Sequence, residues 1–140
     1  IKNFFNIRVS IIGKELDTKN SLVEWFLSNE KKEKIFGFKD HLWNGVTTSV
    51  FSHILYTIIN KKINIPNNFH LIPKDKVNKF KLMQLLKNHY GFKNLKIIKK
   101  NSNNRINRIL ETNHKILNDK IWLNSKYKRK LSIEEIISTL

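Results

Sequence analysis

The five histidines, at positions 41, 53, 70, 89 and 114, are the first place to look for chemistry. None belongs to an H-E-x-x-H pattern, which would set two imidazoles on one helical face, and no two stand four residues apart. The sequence therefore writes no zinc site. His53 falls on the flank of an amphipathic stretch and His70 inside a short apolar run, so both read as structural. Glu134 and Glu135 are adjacent at a helix start, where capping and the helix dipole explain them. The four glycines, 13, 37, 45 and 91, are too far apart to cradle a phosphate, and neither G-x-S-x-G nor a P-loop occurs. Cysteine is absent, which excludes disulfides, thiolate zinc sites and cysteine nucleophiles. On the residues alone the chain contains no complete active site.

The segment 40–48, DHLWNGVTT, has a different texture. It puts Trp, Asn, Gly and two Thr directly before a helix N-terminus. Free N–H groups at such a place attract phosphate, two hydroxyls add donors, and an aromatic ring can stack on a base or a sugar face. The plainer reading is that Thr47 or Thr48 caps the helix and Trp43 packs, since capping is the common job of Thr there. The residues leave both readings open.

The elements around this segment follow from periodicity. Residues 4–12, FFNIRVSII, alternate at Ile7, Val9 and Ile11, and with Phe4, Phe5 and Ile12 they carry apolar groups on both faces. That pattern predicts a buried strand of a parallel sheet, ended by Gly13. Ser21 and Glu24 predict a capping box and a helix with Leu22, Trp25 and Phe26 on its apolar face, and Lys31 and Lys32 at its end. Residues 35–47 read as short strands or extended loop. After them Val50, Ile54 and Ile58, beside Phe51, Leu55 and Ile59, make two apolar rows of a long helix. A turn at Ile65–Asn68 leads to a short strand at Phe69–Ile72. Asn78 then caps a further helix, with Val77 and Leu82 as its staple and Gly91 as its stop. Leu95–Ile98 reads as a strand, and the Asn-rich basic stretch 99–108 as surface loop. A last helix starts at a second capping box, Ser132 with Glu135, and buries Ile133, Ile136, Ile137 and Leu140. Strands alternating with helices predict an α/β fold with parallel strands.

Charge points elsewhere. The 140 residues carry 27 Lys plus Arg against 11 Asp plus Glu, a formal charge of +16, which invites a nucleic-acid reading. Yet Arg, whose planar fork suits phosphates and guanine edges, supplies only four of the 27 basic residues. Lys, Asn and Ile each number roughly 20 and alanine is missing, a bias that A/T-rich codons produce by themselves. The charge is therefore read as compositional, with no nucleic-acid partner. A small basic nucleic-acid binder using Lys99, Lys100, Arg105, Arg108, Lys126, Lys128, Arg129 and Lys130 is the contrasting reading. With 40% hydrophobic residues the chain is too apolar for a disordered tail, and no apolar run approaches the roughly 20 residues that span a bilayer. No membrane partner and a cytoplasmic location are the corresponding expectations. The chain opens on Ile1 within an apolar stretch, which reads as a fragment.

Taken in order, FNIRVSIIGKEL, LVEWFLS, GFKDHLWNGVTT, VNKFKLMQLL and NRILET resemble the C-terminal half of sugar-nucleotide reductases. These are the extended short-chain dehydrogenases similar to dTDP-4-dehydrorhamnose reductase. The resemblance covers roughly residues 5–112 and rests on the order of the motifs more than on any one of them. It implies the C-terminal portion of a Rossmann-type fold plus a small substrate-binding lobe. Residues 1–13 would be a late strand of the Rossmann sheet and 14–140 the lobe. It also implies reduction of a 4-keto-deoxysugar nucleotide by NAD(P)H, with a homodimer as the form of the full-length enzyme. The family's Gly-rich turn and Tyr-x-x-x-Lys pair have no counterpart here. Tyr56 is followed at the fourth position by Asn60, and Tyr90 by Asn94. Cofactor and catalytic pair would lie upstream, and the 140 residues alone would be inactive.

Carried over position by position, Ser10 of the Arg8-Val9-Ser10 strand end would lie near the nicotinamide. Ile11 stands where relatives often hold Trp or Asn against the sugar. Trp43, Asn44, Gly45, Val46 and Thr47 match a stretch that reads Gly-x-Pro-Thr in relatives, with the Pro missing here. The resemblance thus marks Ile11, Trp43, Asn44, Gly45 and Thr47 as substrate-binding. Arg108 matches an Arg that could clamp a diphosphate. Lys79, at the start of a helix, reads as structural. A non-redox nucleotide-sugar binder, or an epimerase of the same family, remains the alternative. A strand buried on both faces further predicts that the isolated chain exposes apolar surface and dissolves poorly.

Overall fold

The computed structural model describes residues 5–140. Phe4, and with it the first position of the expected strand 4–12, lies outside the described residues. The fold is α/β, and strand pairing is mostly parallel. β1 (Asn6–Arg8) pairs in parallel with β6 (Asn68–His70), and β2 (Ile11–Ile12) with β5 (Val46–Thr47). β3 (Lys34–Phe38) pairs in parallel with β8 (Lys96–Lys100). β4 (His41–Trp43) is the centre of a three-stranded sheet, antiparallel to β7 (Val77–Asn78) and parallel to β9 (Ile106–Arg108).

The single strand expected at 4–12 is two short ones. The chain breaks pairing at Val9 and Ser10 and changes partner, from β6 to β5. Burial on both faces does not hold for the described part. Ile12 is buried, but Phe5 and Ile11 are each 47% exposed. Each of the two strands has one pairing partner among the described residues.

The helices follow their caps. α1 (Leu22–Leu27) starts at Ser21, whose hydroxyl accepts from the Glu24 N–H. The expected capping box is only half formed, because the Glu24 carboxylate accepts from the N–H of Glu15 instead. The helix ends at Leu27, so Lys31 and Lys32 fall beyond its last turn. α2 (Thr48–Asn60) is capped by Thr47, and its Val50, Ile54 and Ile58 row is buried. The adjacent row fades outward, and Ile59 is 74% exposed. α3 (Lys79–Tyr90) is capped by Asn78 and stops at Gly91, at φ +71°, where a left-handed residue closes the last turn. Phe92 just beyond it stacks on Phe26 at 5.3 Å.

Two further elements differ from the sequence expectation. Residues 106–108 are strand β9 rather than loop, because pairing with β4 outweighs their polarity. Lys115–Asn124 is a helix, α4, that its weak apolar periodicity did not announce. It buries Ile121 and Trp122, and the Trp122 indole donates to the Ile72 carbonyl at 2.9 Å. Its Asn118 exchanges two hydrogen bonds with the backbone of Ile72. α5 (Ile133–Ile137) carries the complete capping box of Ser132 and Glu135. No helix among the described residues is long and apolar enough to cross a membrane.

Candidate functional site

The site is built on β4. Its register sets Trp43 beside Arg108 of β9 and His41 beside Ile106. Paired strand residues share a sheet face, so these four side chains come together. On the other flank Leu42 pairs with Asn78, and α3 begins at the next residue, Lys79. The result is a cavity of about 230 Å³ lined by Leu22, His41, Leu42, Trp43, Lys79, Leu82, Ile106 and Arg108.

Its electrostatics are one-sided. Lys79 and Arg108 are both cationic, and neither takes part in the ion pairs present among the described residues. Burial, and then the nearby Arg108 guanidinium, pull the Lys79 ammonium below its ordinary pKa. The ammonium lies 5.3 Å from the centre of the Trp25 ring and 5.8 Å from that of Phe38. Among the described residues, these aromatic faces are what offsets its charge. His41 packs on Phe38 at 4.6 Å between ring centres, and its Nε2 is buried without a hydrogen-bond partner. A wall of this kind can take an anionic group at the cations and an apolar or planar group against Trp43.

Ser10, expected near a cofactor, stands where β1 gives way to β2. Its carbonyl accepts from the Val46 N–H at 2.9 Å, and its hydroxyl accepts from the Trp43 indole at 2.6 Å. The hydroxyl keeps its own proton to donate. No Gly-rich turn opens a helix among the described residues, and Ser10 alone cannot hold a dinucleotide.

The other expected site residues divide by role. Ile11 is exposed beside Val46. Asn44 is buried and clamps Leu110 with both ends of its amide: Nδ2 donates to the Leu110 carbonyl at 2.9 Å, and Oδ1 accepts from its N–H at 2.7 Å. Thr47 is buried, caps α2 through Val50, and shares a 2.6 Å hydrogen bond with the Thr139 hydroxyl. Gly45 allows a close approach, since a Cβ there would run into the Ser10 carbonyl oxygen and the Trp43 ring. Of the expected set, Trp43 and Arg108 line the cavity. Asn44, Gly45 and Thr47 hold the backbone that carries Trp43, and each is already engaged within the chain.

Lys79 and His41 belong to the cavity, although the sequence marks Lys79 only as a structural helix start and gives His41 no role. Asn78 did mark a helix start, but nothing local shows that β4 lies beside it. The pairing of β4 with β9 is equally invisible when 99–108 reads as loop.

No family model matches the sequence, and no curated protein matches it either. Solved structures do match in fold. One is the dTDP-4-dehydrorhamnose reductase of Bacillus anthracis in complex with NADP, at TM-score 0.69 and 17% identity. The match covers 99% of this chain and 48% of that one. The chain has the fold of about half of a sugar-nucleotide reductase. The dTDP-4-dehydrorhamnose reductase of Yersinia enterocolitica matches at TM-score 0.66 and 17% identity, over 95% of this chain and 47% of that one. UDP-glucose 4-epimerase from Thermotoga maritima, solved with UDP-glucose, matches at 0.59 and 15%, over 94% and 42%. The chain thus spans about half the length of the structures it matches. The reductase fold expected from the motif order is present. Because an epimerase shares it, the fold does not select the reaction.

Proposed function

We propose that these residues are the substrate-side half of an NAD(P)-dependent sugar-nucleotide oxidoreductase that reduces a 4-keto-deoxysugar nucleotide. One observation carries the reading: the cavity at the edge of β4 joins Trp43 to two unpaired cations, Lys79 and Arg108, within a fold shared with such reductases. A nucleotide sugar has the matching parts, an anionic diphosphate between two ring systems. Arg108 binds phosphoryl oxygens, for which its fork is suited. Trp43 offers a flat apolar face to a ring. Its indole N–H is spent on Ser10, so the hydrogen bond fixes the plane of that face. Asn44, Gly45 and Thr47 serve the substrate indirectly, by holding the turn between β4 and β5. The nicotinamide cofactor, and the groups that pass hydride and proton, are supplied from outside these 140 residues.

The test uses the complete natural protein. It is incubated with NADPH or NADH and a dTDP-4-keto-6-deoxyhexose, following nicotinamide absorbance and product mass. Reduction gains two hydrogens, and consumption of reduced cofactor equals product formed. Interconversion of 4-hydroxyl epimers of a nucleotide sugar without net cofactor use would move the assignment to epimerase, the second reading that the UDP-glucose 4-epimerase likeness favours. Absence of binding to any nucleotide sugar would remove both.

A further inference from the structure

We infer that Lys79 is a ligand-binding residue of this site, gripping a phosphoryl group of the substrate together with Arg108. The inference rests on the nucleotide-sugar reading and adds to it the cation that the sequence reading left as structural. Lys79 is the first residue of α3, placed against β4 by the Leu42–Asn78 pairing. Three observations set it apart from the many lysines of this chain. It is half-buried in a cavity wall, whereas most lysines are solvent-exposed. Among the described residues no carboxylate pairs with it, and its neighbour in the same wall is a second cation, Arg108. Its ammonium is lodged between Trp25 and Phe38.

Lys79 is half-buried beside the exposed Arg108; like charges repel, and cation–π contacts offset that only in part. A lysine with a purely structural task would turn its flexible stem toward water, as Lys side chains readily do. An anion placed between Lys79 and Arg108 cancels the repulsion and gives both cations charge-assisted hydrogen bonds. Two adjacent cations suit a doubly charged group, which fits a diphosphate better than a carboxylate or a lone hydroxyl.

The experiment titrates the complete protein with inorganic pyrophosphate, dTDP, UDP and, as an uncharged control, thymidine, reading tryptophan fluorescence and heat of binding. Wild type is expected to bind the diphosphates saturably and thymidine far more weakly. Lys79→Met keeps an apolar stem against Trp25 and Phe38 but loses the charge. Diphosphate affinity should then fall about tenfold to a hundredfold, with thymidine binding and thermal unfolding unchanged. Lys79→Arg should retain most of the affinity.

Lys79→Met binding pyrophosphate and dTDP as wild type does would overturn the inference, and so would the absence of saturable diphosphate binding to wild type. Loss of diphosphate and thymidine binding together would also overturn it, since the effect would then be structural. These outcomes are separable from those of the functional reading. Reduction of a keto sugar with undiminished binding by Lys79→Met sinks only the Lys79 role. Lys79-dependent diphosphate binding without redox or epimerase turnover sinks only the reaction.

Discussion

The indole N–H of Trp43 donates to the hydroxyl of Ser10 at 2.6 Å, across 33 positions of sequence. Two residues expected at the site, one from the β1–β2 break and one from the end of β4, are thus joined directly. The bond is reinforced by the Val46 N–H, which donates to the Ser10 carbonyl at 2.9 Å. The cavity wall that Trp43 forms is therefore held by the strand end expected to face the cofactor.

Breaking this bond should be measurable as coupling. Trp43→Phe and Ser10→Ala each remove one partner of a part-buried hydrogen bond. In a double-mutant cycle read by denaturant unfolding, the two are expected to be non-additive by about 1 kcal/mol. Additive effects would mean that the bond contributes nothing.

Asn44 should matter for stability more than for ligand contact. Both ends of its amide are spent on Leu110, and the residue is 6% exposed. Asn44→Ala leaves a backbone N–H and a carbonyl without partners and should cost about 2–3 kcal/mol. Asn44→Asp can replace only the bond from the Leu110 N–H, and it turns a carboxylate toward a carbonyl oxygen. Both variants should lower the thermal midpoint, and a midpoint equal to wild type would remove the clamp assignment.

The two helix ends make opposite predictions. α2 closes with Lys62 at φ +48°, where the Lys62 N–H donates to Ile59 and the Ile63 N–H to Ile58. α3 closes in the same way at Gly91, with bonds from Gly91 to Asn88 and from Phe92 to Lys87. Left-handed backbone strains a side chain with a Cβ and leaves glycine unstrained. Lys62→Gly should therefore stabilise by about 0.5–1 kcal/mol, and Gly91→Ala should destabilise by about 1 kcal/mol. Both shifts are readable as thermal midpoints.

Acid sensitivity is expected at the last capping box. The Arg129 guanidinium, which bonds both carboxylate oxygens of Glu135, and the Ser132 N–H and O–H hold its pKa down from the ordinary 4.5 to about 2. A carboxyl whose folded pKa is depressed adds stability above its unfolded pKa and loses it as pH falls through the folded value. The contribution should therefore be full above pH 4.5 and disappear towards pH 2. Glu135→Gln should flatten the pH dependence of unfolding across that window. Salt should weaken the effect in wild type, because the pair is solvent-exposed. An unchanged profile would show that the pair is not coupled to folding.

Much of the fold was legible because its signals are local. Ser21, Thr47 or Thr48, Asn78 and Ser132 announced four helix starts through short-range side-chain chemistry, and Gly91 announced one end; the structure puts the second cap at Thr47. The buried row Val50, Ile54, Ile58 could be read from spacing alone. The family-like order of motifs also survived as fold, though at 17% identity to the reductases reported above.

The site was legible only in part. Trp43 and Arg108 were marked by resemblance, but their adjacency depends on β4 pairing with β9 across more than sixty residues. No local pattern encodes such a pairing, because each strand is too short to show its face by alternation. Lys79 looked like the ordinary first residue of a helix until β7 placed it beside β4. The sequence by itself therefore determined the helix caps and the apolar rows. The tertiary structure decided which side chains meet at the cavity. Sheet register is a long-range property, and only there do two cations without carboxylate partners become neighbours.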